Sequence, residues 1–126
     1  MNTKNYFLVS AVLNVLFGFS LVFLPDMMTQ QYLADAASQN TATVLLCRLF
    51  GSLLLSLAVT LFIARDAGPS SARKGLILGG VLVQVAYVIV HTLAINQGVE
   101  KPFALGTVGI SVIIFLWGVA VLRSDK

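Results

Sequence analysis

Residues 42–64 read ATVLLCRLFGSLLLSLAVTLFIA, an aliphatic run interrupted by one fixed positive charge, Arg48. A helix needs about 20 apolar residues to cross ~30 Å of bilayer hydrocarbon, and this run is long enough. Three others match it, at about Tyr6–Leu24, Gly75–Asn96 and Phe103–Leu122. Of the 126 residues, 58% are hydrophobic and 10% charged, against about 25% charged in an average soluble domain. The expectation is an all-α protein: an integral membrane four-helix antiparallel bundle, with residues 1–126 forming a single transmembrane domain. Four spans consume most of the chain, so any site must be built from helices and short loops.

The formal charge of +3 and pI near 9.4 do not point to nucleic acid, because the basic residues are scattered and most of them flank the spans. Lys4 precedes the first; Arg65, Arg73 and Lys74 separate the second from the third; Arg123 and Lys126 follow the fourth. An even number of crossings puts all six on one side, which the positive-inside rule makes cytoplasmic. Both termini then face the cytoplasm, and the loops at 25–41 and 97–102 lie outside. The first outer loop carries Asp26 and Asp35 and no Lys or Arg. A cleavable signal peptide is the alternative for span one, since Ala34-Asp35-Ala36 has a small-x-small pattern. Its apolar run is longer than the ~7–15 residues of a signal core, which favours a retained helix.

Pro25 ends the first span, and MMTQQYLADAASQN follows at 27–40. Met27, Met28, Tyr32 and Leu33 fit one side of a short surface helix, with Gln30, Gln31 and Asp35 toward water. Asn40 and Thr41 are caps for span two, and Ser70-Ser71 after Gly68-Pro69 starts span three. The short QGVEKP connection makes spans three and four a tight hairpin.

Stepping by four from Arg48 reaches Ser52, Ser56 and Thr60, one face of span two. Small and polar residues mark helix–helix faces in lipid, so this stripe is expected inside the bundle. Matching stripes are Ser10, Asn14 and Gly18; Gly80, Gln84, Tyr87 and His91; and Thr107, Ser111 and Gly118. Arg48 and His91 lie about five or six residues from their outer helix ends, under ~10 Å deep at ~1.5 Å per residue. Asn14 and Gln84 lie deeper. The reading is a two-tier polar interior, with Arg48, Tyr87 and His91 above Asn14 and Gln84, the five residues expected to bind a ligand. Arg48 either faces an outward-opening cavity as partner for an anion or carbonyl, pairs with Asp26 or Asp35, or snorkels to the outer surface. Asn14 and Gln84 are expected to hydrogen-bond between helices, and Trp117 to anchor at the inner boundary.

Cys47 is the only cysteine and His91 the only histidine. Two-cysteine redox chemistry and a haem held by paired histidines within one chain are excluded, and neither a metal nor a cofactor is expected. No carboxylate falls inside a span, which argues against proton-coupled export of cations. Tyr87 and His91, with Arg48 as electrostatic stabiliser, are the only catalytic pair on offer.

Arg48-Leu49-Phe50-Gly51 early in span two, after a first span ending in Gly18 and Pro25, resembles the DoxX-like group of small bacterial four-helix membrane proteins. That resemblance implies a bacterial inner-membrane bundle, with some members acting as subunits of quinone-linked oxidoreductases. It carries over no catalytic residue. The leading expectation is a binding or accessory protein whose outer-half cavity holds an amphipathic ligand, a quinone or lipid, or contacts a partner subunit. The alternatives are an enzyme isomerising or cyclising a lipophilic substrate, and a purely structural assembly protein. The glycine-rich fourth span also suits a homo-oligomer.

Overall fold

The computed structural model describes residues 2–124. Five α-helices follow one another: α1 (Thr3–Phe23), α2 (Pro25–Tyr32), α3 (Thr41–Ala64), α4 (Ser71–Asn96) and α5 (Leu105–Ser124), with 3-10 turns at Ala36–Ser38 and Pro102–Ala104. All but α2 are long and apolar enough to cross a membrane, the fourth counted from Pro102.

Local chemistry sets the boundaries. Asn2, Asn40 and Ser70 accept hydrogen bonds from the Lys4, Thr43 and Arg73 amides, capping α1, α3 and α4. Pro25 cannot continue α1, but as the first residue of α2 it forfeits no bond, so the chain breaks at Leu24 and restarts. The short helix expected after the first span is therefore α2. Its inward side differs from the expected one, with Pro25 and Thr29 buried, Met28 and Tyr32 half-buried and Met27 exposed.

The helices associate as two pairs, α1 with α3 and α4 with α5. At the first crossing a Cβ on Gly51 would lie 2.7 Å from the Gly18 carbonyl oxygen, and one on Gly18 2.9 Å from that of Gly51. Lipid offers no hydrophobic drive for association, so van der Waals contact of this kind has to hold the pair. Gly51, Leu54, Ala58 and Leu61, spaced like a coiled-coil seam, are the buried residues of α3.

Tyr6 locks the two pairs together. Its hydroxyl enters a notch on α4 and α5 where a Cβ on Gly80 or Gly118 would come within 2.9 or 2.8 Å of it. Trp117 packs edge-on against the Tyr6 ring, centroids 5.8 Å apart, and adjoins a core that contains Phe7, Ile77 and Val121. Trp117, expected as a boundary anchor, is thus a packing residue in the structure.

At this end the Lys4 ammonium meets the Asp66 carboxylate at 2.6 Å, with Arg65 Nε 3.1 Å from the other oxygen. Hydrogen bonding from Lys4 holds Asp66 below the ordinary carboxylate range. Lys126, counted above among the cytoplasmic charges, lies outside the described residues.

Candidate functional site

The site begins where α4 stops. Gly98 takes a φ of +70°, open to glycine without strain. The Val99 amide donates to the Ala94 carbonyl (2.9 Å) and the Gly98 amide to that of Ile95 (3.0 Å), the paired bonds of a Schellman cap. The chain is thereby folded back on its own helix. Glu100 comes to lie over α4 and its Oε2 is 2.7 Å from Nδ1 of His91, with both side chains largely buried.

The segment after α2 clamps this return. The Ala34 amide donates to the Val99 carbonyl (2.9 Å) and the Lys101 amide to that of Tyr32 (2.7 Å), which pairs Leu33 with Glu100 in an isolated bridge. Tyr32 is held with its ring 6.0 Å from that of His91, and its hydroxyl shares a hydrogen bond with Thr107 on α5. Tyr87, one turn before His91, lies 6.1 Å from it ring to ring, and Phe50 of α3 reaches Tyr87 at 6.3 Å.

These residues sit at one end of a cavity of about 510 Å³ lined by residues of all five helices. Along α4 it extends from Gly75 to His91, about 24 Å at ~1.5 Å per residue. Side chains such as Leu13, Phe17, Leu57 and Ile114 make most of the wall apolar. Ser10, Asn14 and Gln84 interrupt it part-way down. Among the described lining residues there is no Lys or Arg, and Glu100 is the one acidic side chain. Among the described residues no cluster of three or more His, Cys, Asp or Glu could hold a metal ion.

Of the five residues expected to bind a ligand, four line this cavity: His91 and Tyr87 at the polar end, Gln84 and Asn14 deeper. The two amides do not bond each other. Asn14 Nδ2 donates to the Ser10 carbonyl of its own helix at 2.7 Å, so the expected interhelical bond is not made.

Arg48 is the main correction. It is exposed on the outside of α3 together with Ser52, Ser56 and Thr60, and it is absent from the cavity wall. The three hydroxyls donate to the carbonyls of Arg48, Ser52 and Ser56, at 2.8, 3.0 and 3.1 Å, so the stripe satisfies itself. Neither Asp26 nor Asp35 pairs with Arg48 among the described residues; Asp35 instead caps the Ala36–Ser38 turn through the Ala37 amide. The close approach of Gly18 and Gly51 decides which face of α3 turns inward, and Arg48 is not on it.

Compared with known proteins, the chain matches no family model, no curated protein and no solved structure. The site has to be read from its own geometry.

Glu100 and Tyr32 were not anticipated as site residues. Gly98, placed just beyond the end of an apolar helix, was the available signal for Glu100, since a glycine there turns the next residues back on the helix. For Tyr32 the sequence held no comparable signal, because its position depends on hydrogen bonds between two distant loops.

Proposed function

We propose that this protein is an integral membrane binding protein that holds an amphipathic small molecule, lipid-like or quinone-like, in the interhelical cavity. One observation carries the proposal: a long apolar cavity within the ~300–1,000 Å³ range of ligand pockets, with its polar groups concentrated at the His91 end. The tail of the ligand lies along the apolar wall, and its head meets His91 and Tyr87. The bundle is antiparallel, with both termini on the cytoplasmic side of a bacterial inner membrane. The flanking basic residues favour that orientation, and the Lys4–Asp66 contact, which brings the start of α1 to the end of α3, supports the antiparallel order of those two helices. The His91 end then faces outward. A partner subunit or a second copy would bind the outside of the bundle.

Native mass spectrometry of gently extracted protein tests the reading. Gly79 lines the cavity and a Cβ there has nothing within 4 Å, so Gly79→Leu projects a side chain into open space. A bound amphipath in the parent that is lost in Gly79→Leu is the expected result. A parent that carries none, or a variant that retains it in full, rejects the proposal.

The pairing of Glu100 with His91 favours a second reading, an enzyme that moves a proton on a lipophilic substrate during isomerisation or cyclisation. Parent and His91→Gln proteins would be incubated with a total lipid extract in D₂O. Deuterium entering a lipid with the parent alone supports this reading; equal labelling counts against it.

A further inference from the structure

The polar end of the cavity has a definite electrostatic character. Glu100 supplies a carboxylate, and the nearby cations are directed elsewhere: the Lys101 ammonium donates to the Gln30 carbonyl, and Arg48 lies outside the bundle. With a neutral imidazole the His91–Glu100 pair carries one negative charge, and with an imidazolium it carries none. It is never positive. A carboxylate or phosphate head entering here would meet the Glu100 carboxylate in a largely apolar wall, and no Lys or Arg among the described lining residues offsets the repulsion.

Hydrogen-bond roles narrow the choice further. An ionised carboxylate only accepts, so the proton of the 2.7 Å contact belongs to Nδ1 of His91. In the neutral ring Nε2 is then the acceptor, and it has no hydrogen-bond partner among the described residues. The Tyr32 hydroxyl is engaged with Thr107, whereas that of Tyr87 makes no hydrogen bond among the described residues and is free to donate. One acceptor and one donor, on side chains a turn apart, suit a group that both donates and accepts. A hydroxyl does both. A quaternary ammonium head has neither a proton for Nε2 nor a lone pair for the Tyr87 hydroxyl.

Resting on the amphipath-binding reading above, we infer that the cavity selects an uncharged amphipath with a hydroxyl head, a long-chain alcohol or phenol. The hydroxyl donates to Nε2 of His91 and accepts from Tyr87.

His91 is the only histidine, so ¹⁵N-histidine labelling of the full chain reports this one ring. The protein is placed in phosphatidylcholine nanodiscs and titrated with farnesol, palmitic acid or hexadecyltrimethylammonium. Farnesol is expected to shift the Nε2 signal saturably while Nδ1 stays protonated, with the two charged probes at least about tenfold weaker. Tyr87→Phe, which keeps the ring, should weaken farnesol by about threefold to tenfold, the loss of one hydrogen bond. Equal circular dichroism melting of the two proteins establishes that the variant folds. Saturation by the acid or the ammonium instead of farnesol overturns the hydroxyl assignment and leaves amphipath binding standing. Farnesol binding that leaves Nε2 unshifted, or is unchanged by Tyr87→Phe, also overturns it. Failure of all three probes removes both readings.

Discussion

Glu100 and His91 are joined at 2.7 Å because the chain reverses at Gly98 and returns along the helix it has just left. Glu100→Ala should leave a largely buried imidazole without its acceptor, at about 1–3 kcal/mol. Unfolding in detergent measures the loss, and the ¹⁵N signals of His91 should show a mixed tautomer population.

Gly98→Ala acts on the same pair from a distance. A φ of +70° strains any residue with a Cβ, so the cap should weaken by about 1 kcal/mol. If Glu100 then no longer folds back, the His91 signals move toward those of Glu100→Ala. Unchanged signals would show that the clamp from Tyr32 and Ala34 suffices to hold it.

Gly51→Ala and Gly79→Ala make the same chemical change in opposite surroundings. At Gly51 the new methyl would meet the Gly18 carbonyl oxygen at 2.7 Å, and backbone cannot swing aside. The α1–α3 pair must separate, at about 1–3 kcal/mol. At Gly79 nothing lies within 4 Å, and relief of glycine's helix penalty should stabilise α4 by about 0.5–1 kcal/mol. Thermal unfolding of the two variants should move in opposite directions.

Tyr6 and Gly80 should be coupled. A Cβ at residue 80 comes within 2.9 Å of the Tyr6 hydroxyl oxygen, with the next atom of that ring 3.9 Å away. Gly80→Ala should therefore destabilise the parent, and Tyr6→Phe should restore part of the loss by removing the clashing oxygen. A double-mutant cycle is expected to give a coupling of about 0.5–3 kcal/mol.

The Lys4–Asp66 link should respond to acid. Lys4 lowers the folded-state pKa of Asp66, so the contribution is complete above the ordinary carboxylate range and lost as pH falls through the lowered value. Both side chains are about half exposed, so the effect is small. The stability difference between parent and Asp66→Asn, followed from neutral pH downward, should shrink to nothing in acid.

Periodicity made the spans, the caps at Asn40 and Ser70 and the helix after Pro25 legible, because hydropathy, proline and capping act within a few residues. The same periodicity placed Arg48, Ser52, Ser56 and Thr60 on one face without saying where that face turns. Serine and threonine can satisfy themselves on their own helix in lipid, whereas the glycines at 18 and 51 allow two backbones to approach closely. The glycines therefore oriented α3, and Arg48 went outside.

The sequence by itself determined four helices long and apolar enough to cross a membrane, since that property depends only on the length and apolarity of each segment. Tertiary structure alone decided which side of each helix faces the cavity, and that Glu100, assigned to a loop, stands behind His91. Helix facing follows from backbone contact between distant glycines, and the position of Glu100 from a chain reversal clamped by another loop. Neither relationship is recorded in the pattern of any one segment.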